Sequence, residues 1–352
     1  MSLGSIMFDV AGAALQPEER EMLQHPLTGG VILFSRNYES PDQIGEFVDE
    51  IHRLREPRLL VAVDHEGGRV QRFRQGFTQL PACGLLGEIY GSDSERGVRL
   101  AEDVGWVMAA ELRAIGVDFS FSPVLDLRKG VSKVIDDRAF HRNAEAVAAL
   151  AYAYVKGMKN AGMGAVGKHF PGHGSVAEDS HHTMPVDSRR FEDIEMEDLV
   201  PFERLIHYGI PAMMPAHVIF SRVDDRPSGF SAVWLKQVLR NQLGFQGAVF
   251  SDDIGMAAAG VAGDFVERAR SALDAGCDMV VICNNRDGAA EILEKLGQHP
   301  DPTSQVRLIR MHGRRAQDRI ALRNDEKWQR VSCEVEAIEQ APELNLGDDQ
   351  LA

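Results

Sequence analysis

Cysteine is scarce and scattered. Four occur in 352 residues, at Cys83, Cys277, Cys283 and Cys333, with no CxxC pair and no framework spacing. That excludes a disulfide scaffold, and the thiols are expected to be reduced and mostly buried. No apolar run approaches the ~18 residues a transmembrane helix needs. The opening MSLGSIMFDVAG lacks the charged and then long apolar pattern of a secretory signal. Long basic blocks are also missing, and the net charge is −15, so neither nucleic acid nor a membrane surface is an expected partner. The expected compartment is cytoplasmic.

What is present is an ordinary globular composition, 44% hydrophobic and 26% charged, in a chain long enough for a large core. Short apolar or β-branched runs recur at 5–10, 30–34, 59–64, 117–124, 164–170, 212–218, 248–253 and 278–284. Between them lie stretches of helical period such as 41–55, 144–162 and 233–243. Continuous apolar strands alternating with amphipathic helices imply a parallel sheet covered by helices. Eight such units match a (β/α)8 TIM-type barrel, for which ~250 residues is typical. An open doubly wound sheet is the alternative. However, no GxGxxG follows the first strand, and polar residues end at least six of the strands: Asp64, Asp126, Lys168 with His169, His217, Asp252 and Asn284. An open sheet concentrates its site at one switch point, whereas a barrel gathers every strand end around one mouth. A single-domain barrel over 1–325 is therefore expected, followed over 326–352 by a helix and an acidic, partly loose tail. A monomer is expected.

Three stretches carry candidate chemistry. In SDD (251–253) a strand ends on two carboxylates, of which one can face the mouth while the other turns to the wall; both could instead cap a following helix. In VDHEGGRVQRFR (63–74) Asp64 ends a strand, a Gly pair follows, and Arg69 and Arg72 come next. An acceptor beside donors suits a polyhydroxylated or carboxylated ligand, although a structural ion pair would read the same way. Arg138, in VIDDRAFH, is a third candidate cation. The densest stretch is KHFPGHGSVAEDSHH (168–182), with four of the chain's twelve histidines. Lys168 and His169 end a strand, PGHG forces a loop, and Asp179 stands two residues before His181, close enough for a carboxylate to orient an imidazole. The i,i+4 spacing of His169 and His173 suggests zinc only on a helix, which Pro171 and the glycines oppose. No metal and no cofactor is expected.

KHFPGHG with the later DSH, VDHEGGRVQR upstream, and MPAHVIF and FSDD downstream resemble the family 3 glycoside hydrolases. Within them they resemble single-domain bacterial β-N-acetylglucosaminidases of cell-wall recycling, in the right order over about residues 6–325. The resemblance implies a retaining hydrolase that removes terminal β-linked N-acetylglucosamine from muropeptide fragments bearing a GlcNAc–anhydro-muramic acid unit. The nucleophile would be Asp252 and the acid/base His181, assisted by Asp179. Asp64, Arg72, Arg138, Lys168 and His169 would bind sugar. On that reading the glycines make the 171–182 loop mobile. Two other readings stay open: a phosphorylase using the same residues, and a non-catalytic sugar-binding barrel.

Overall fold

The computed structural model describes residues 2–178, 180, 184–297, 299, 301–314 and 317–338. Eight short parallel strands form in the expected places. They are β1 Ile6–Asp9, β2 Thr28–Leu33, β3 Leu60–Val63, β4 Phe119–Ser120, β5 Val166–Phe170, β6 Ala212–Pro215, β7 Ala248–Val249 and β8 Val280–Ile282. They are covered by helices on one face and packed together on the other, so runs such as Leu60–Val63 are fully buried and need no polar alternation.

The strands pair as β8-β1-β2-β3-β4 and as β7-β6-β5, in register from Ile6 opposite Val280 to Val249 opposite Met213. Single parallel bridges join the two sheets on both seams: Phe119 with Gly164, Val124 with Lys168, and Phe250 with Met279. The eight strands therefore run in a closed round in chain order, the (β/α)8 arrangement expected from the sequence. Its interior is filled by side chains. The rings of Phe119, Phe121 and Phe250 contact one another at centroid distances of 5.1–5.6 Å and close the barrel beneath the mouth.

Two buried carboxylates brace the opposite end. Asp118, just before β4, accepts from Val61 N at 3.0 Å, Gly313 N at 2.9 Å and the Arg58 guanidinium at 2.8 Å. Asp278, just before β8, accepts from Val249 N at 2.7 Å and from Arg240 and Arg307. Each satisfies a backbone N–H of the neighbouring strand that the parallel ladder leaves open, and the paired guanidinium offsets the cost of burying the charge. A cavity of about 600 Å³ opens at this end, lined by lysine, arginine and aspartate in mixed array. None of the residues read as catalytic or sugar-binding borders it.

The helix Glu326–Glu336 lies against the long helix Ser94–Ala114, with Trp328 Nε1 donating to Glu111 Oε1 at 2.9 Å. Residues 339–352, read above as the acidic tail, lie outside the described residues. Cys83, Cys277 and Cys283 are buried, and Cys333 is exposed. Among the described residues no helix is long and apolar enough to cross a membrane.

Helices Ser94–Ala114 and Ala144–Asn160 pack almost backbone to backbone. A Cβ on Gly105 would stand 2.2 Å from Tyr154 O, and one on Gly157 2.0 Å from Glu102 O. Carbonyl groups cannot yield as a flexible side chain can, so the helices must separate to admit a methyl group. Gly157→Ala is expected to destabilise the fold by about 1–3 kcal/mol through overpacking, read as a lowered urea midpoint. An unchanged midpoint would mean that the helices slide apart at no cost.

Candidate active site

The carboxyl ends of the strands converge on one pocket. Asp64, Arg72, Arg138, Lys168, His169 and Asp252 all line it, as do Glu66, His173, Ser180 and Asp253. Every described residue named above as catalytic or sugar-binding is thus brought to one place. Asp179 and His181 lie outside the described residues; Ser180, between them in sequence, lines the pocket.

A buried ion network forms one wall. Beyond β3 the chain turns through a small hairpin, His65–Gly67 against Val70–Gln71, which turns Glu66 inward. Arg138 grips it bidentately, Nε to Oε2 and Nη2 to Oε1, both at 2.9 Å. Lys168 Nζ stands 2.6 Å from Glu66 Oε1 and donates to Asp64 Oδ1 at 2.8 Å. Burial alone would raise the Glu66 carboxyl, but Arg138 and Lys168 outweigh it and hold it well below the usual range. Burial would likewise lower Lys168, yet Asp64 and Glu66 raise it. Two carboxylates and two cations give this wall fixed donors and acceptors with no net charge, which suits a neutral polyhydroxylated ligand better than an anion. Glu66 was not recognised from the sequence. The available signal was its place two residues after Asp64, where a hairpin returns it to the same side.

Arg69 also borders the pocket, but its guanidinium is engaged by the neighbouring loop. It donates to Lys133 O and Val134 O at 3.0 and 2.8 Å and pairs with Asp137 at 3.5 Å, the structural ion pair left open for it above.

Asp126 organises the next strand end. It is 1% exposed and accepts from His169 Nδ1 at 2.7 Å and from His173 N at 2.7 Å. In the neutral imidazole that leaves His169 Nε2 as an acceptor. No helix joins His169 and His173; β5 ends at Phe170 and the chain turns. Among the described residues no three His, Cys, Asp or Glu side chains gather closely enough to hold a metal.

The glycines of PGHG are packing positions. Gly172 has φ +137°, and a Cβ there would sit 2.8 Å from Asp198 Cβ; one on Gly174 would meet Leu127 O at 2.0 Å. Asp198 is itself buried and bonded to Lys129, Arg189 and Ser175. At both positions any side chain would collide with Asp198 or with the Leu127 carbonyl, so close packing as well as turning requires glycine here.

At the end of β7 the two aspartates differ. Asp252 lines the pocket, and its Oδ1 accepts Asp253 N at 2.8 Å. Asp253 spends one oxygen on two backbone donors, Gly255 N at 2.7 Å and Cys283 N at 2.9 Å. His217, stacked on Phe230, donates from Nε2 to Asp253 O at 3.0 Å and braces the turn. Burial, reinforced by the neighbouring Asp252, pushes the Asp253 carboxyl up to about 7 despite the two N–H donors.

The sequence profile of the Glycosyl hydrolase family 3 N terminal domain matches residues 3–310. The chain belongs to glycosyl hydrolase family 3. It is 56% identical over 346 residues to the beta-hexosaminidase of Thioalkalivibrio sulfidiphilus, covering 98% of this chain and 99% of that protein. It is 54% identical to the beta-hexosaminidase of Alkalilimnicola ehrlichii, again over 98% and 99%. The crystal structure of NagZ from Neisseria gonorrhoeae in complex with N-trifluoroacetyl-D-glucosamine superposes with a TM-score of 0.92 at 43% identity, covering 96% of this chain and 98% of that one. A further crystal structure of that Neisseria protein is in complex with zinc ion. The family 3 chain described here is thus a glycoside hydrolase, and its fold and length match those of these relatives.

Asp253 yields a pH test. Its folded pKa lies above the unfolded value, so the folded state binds more protons between pH ~4 and ~7, and stability is lost as pH rises through that window. Both donors use Oδ1, which Asn retains. Asp253→Asn is expected to raise Tm relative to wild type at pH 8 and to change it much less at pH 5. Equal differences at both values would mean that Asp253 does not titrate in this range.

Proposed function

We propose that the chain is a retaining β-N-acetylhexosaminidase of the cytoplasm. It removes terminal β-linked N-acetylglucosamine from muropeptide fragments of the GlcNAc–anhydro-muramic acid type during peptidoglycan recycling. The observation that carries this is the single pocket shared by Asp252 and the charge-balanced wall of Asp64, Glu66, Arg138 and Lys168, in a chain whose relatives at 54–56% identity are beta-hexosaminidases. The catalytic unit is the barrel of residues 1–325, with the C-terminal helix added on its flank.

In the first step the Asp252 carboxylate attacks the anomeric carbon as the glycosidic C–O bond breaks. His181, its imidazolium supported by Asp179, gives a proton to the departing oxygen. In the second, neutral His181 takes a proton from water, which attacks the glycosyl ester and frees Asp252 with the anomeric configuration retained. An unperturbed imidazole pKa of ~6.5 lets one group serve both steps near neutrality. Asp64, Arg72, Arg138, Lys168 and His169 hold the sugar hydroxyls.

Asp252→Ala is expected to abolish turnover of p-nitrophenyl β-N-acetylglucosaminide, by several orders of magnitude, with the fold intact. Retained activity there, with an inactive Asp253→Ala, would move the nucleophile by one residue. The aryl N-acetylglucosaminide is expected to be cleaved faster than the aryl glucoside, with β-GlcNAc and no sugar phosphate as first product even in phosphate buffer. His181→Ala is expected to slow a disaccharide far more than an activated aryl glycoside, because an alkoxide leaving group needs the proton and a nitrophenolate hardly does. Uniform losses would place the proton donor elsewhere.

Dialysis against EDTA is expected to leave the rate unchanged, since among the described residues no three His, Cys, Asp or Glu side chains gather closely enough to hold a metal. A rate lost to EDTA and restored by zinc would overturn this.

A further inference from the structure

We propose that His173 and Ser180 form a latch that positions the acid/base. This rests on the reading of His181 as acid/base, and it assigns a role to two residues that do no chemistry themselves. His173 is 2% exposed. Its backbone N–H is fixed by Asp126, the same carboxylate that orients His169. Its ring stands edge-on to that of His169, centroids 6.0 Å apart. Among the described residues the ring makes one polar contact, Nε2 to Ser180 Oγ at 3.3 Å, while Nδ1 has no hydrogen-bond partner. Burying an imidazole for a single hydrogen bond is costly unless that bond has work to do. Burial and the neighbouring His169 lower its pKa, which keeps the ring neutral.

Ser180 is tied from a second side, since Ala258 N donates to its carbonyl at 3.2 Å. Ser180 is also the residue between Asp179 and His181 in sequence. A bond that holds Ser180 therefore holds the residue to which both members of the proposed dyad are directly joined in sequence. Its anchor runs back through His173 to Asp126, and through the close-packed Gly172 and Gly174, to the strand ends that carry Lys168 and His169. The latch thus references the proton donor to the sugar-binding wall. Proton transfer is sensitive to errors of about an ångström, and a loop fixed at only one limb would not hold that tolerance.

The test measures kcat and KM for His173→Ala, Ser180→Ala, the double variant and His173→Gln over aryl glycosides of graded leaving-group acidity and one disaccharide. His181→Ala is run beside them. Each single variant is expected to lower kcat/KM for the disaccharide by about ten-fold, the scale of one hydrogen bond. The loss should fall in kcat, with the most activated aryl glycoside changed less than about two-fold and inhibition by free GlcNAc unchanged. The double variant should be no worse than either single one. His173→Gln should recover most of the loss, because its amide nitrogen reaches the place of Nε2. Losses uniform across leaving groups, additive in the double variant or unrelieved by Gln would overturn the latch, as would weaker GlcNAc inhibition, which would make His173 a sugar contact. If His173→Ala does not fold, Ser180→Ala decides alone, since it removes one hydroxyl. A His181→Ala variant without leaving-group dependence would instead refute the acid/base assignment itself.

Discussion

Glu66 is a carboxylate taken out of water and held by two cations from different regions of the chain. Arg138 arrives from the loop after β4 and Lys168 from the end of β5, and Lys168 reaches on to Asp64 at the end of β3. A buried charge of this kind is tolerable only when its partners are in place, so the network couples the correct closure of three strand ends to one another. It also fixes the pocket's character. Donors and acceptors are set in advance and their charges cancel, so the wall offers hydrogen bonds of fixed direction with little net field.

Asp126 has the corresponding role at the neighbouring strand end, with imidazole and backbone N–H donors in place of guanidinium. Its position lets one carboxylate set both a ring that lines the pocket and the start of the loop beyond it. The aspartates at the far end of the barrel, Asp118 and Asp278, show that the fold uses buried carboxylates freely as strand connectors. Burial with ion pairing alone does not mark a catalytic group. What separates the two sets is the end of the strand they occupy.

At β7 two adjacent aspartates with near-identical chemistry diverge because the turn gives them different neighbours. Both border the pocket, but one oxygen of Asp253 is taken up by Gly255 N and Cys283 N and its carboxyl is raised by burial. A carboxyl that keeps its proton near neutrality is a poor nucleophile, so the environment supports the assignment of that role to Asp252.

The strand runs, their alternation with helices and the polar strand ends are local properties of the chain; continuous apolar strands must be buried on both faces, and polar residues at six strand ends favour a barrel over an open sheet. The order KHFPGHG, DSH and FSDD carried the family, and with it Asp64, Arg138, Lys168 and Asp252. Glu66 escaped because an acidic residue beside a glycine pair looks like any solvated turn until a hairpin aims it at cations 72 and 102 residues away. The glycines at 172 and 174 suggested freedom because a missing side chain reads as flexibility. In the fold the space was already taken by Asp198 and by the Leu127 carbonyl. The sequence by itself determined which groups the protein has to work with and at which strand ends they emerge. Only the tertiary structure decided which of them meet, because the partners of a buried charge are chosen by distances that close across a hundred residues of chain.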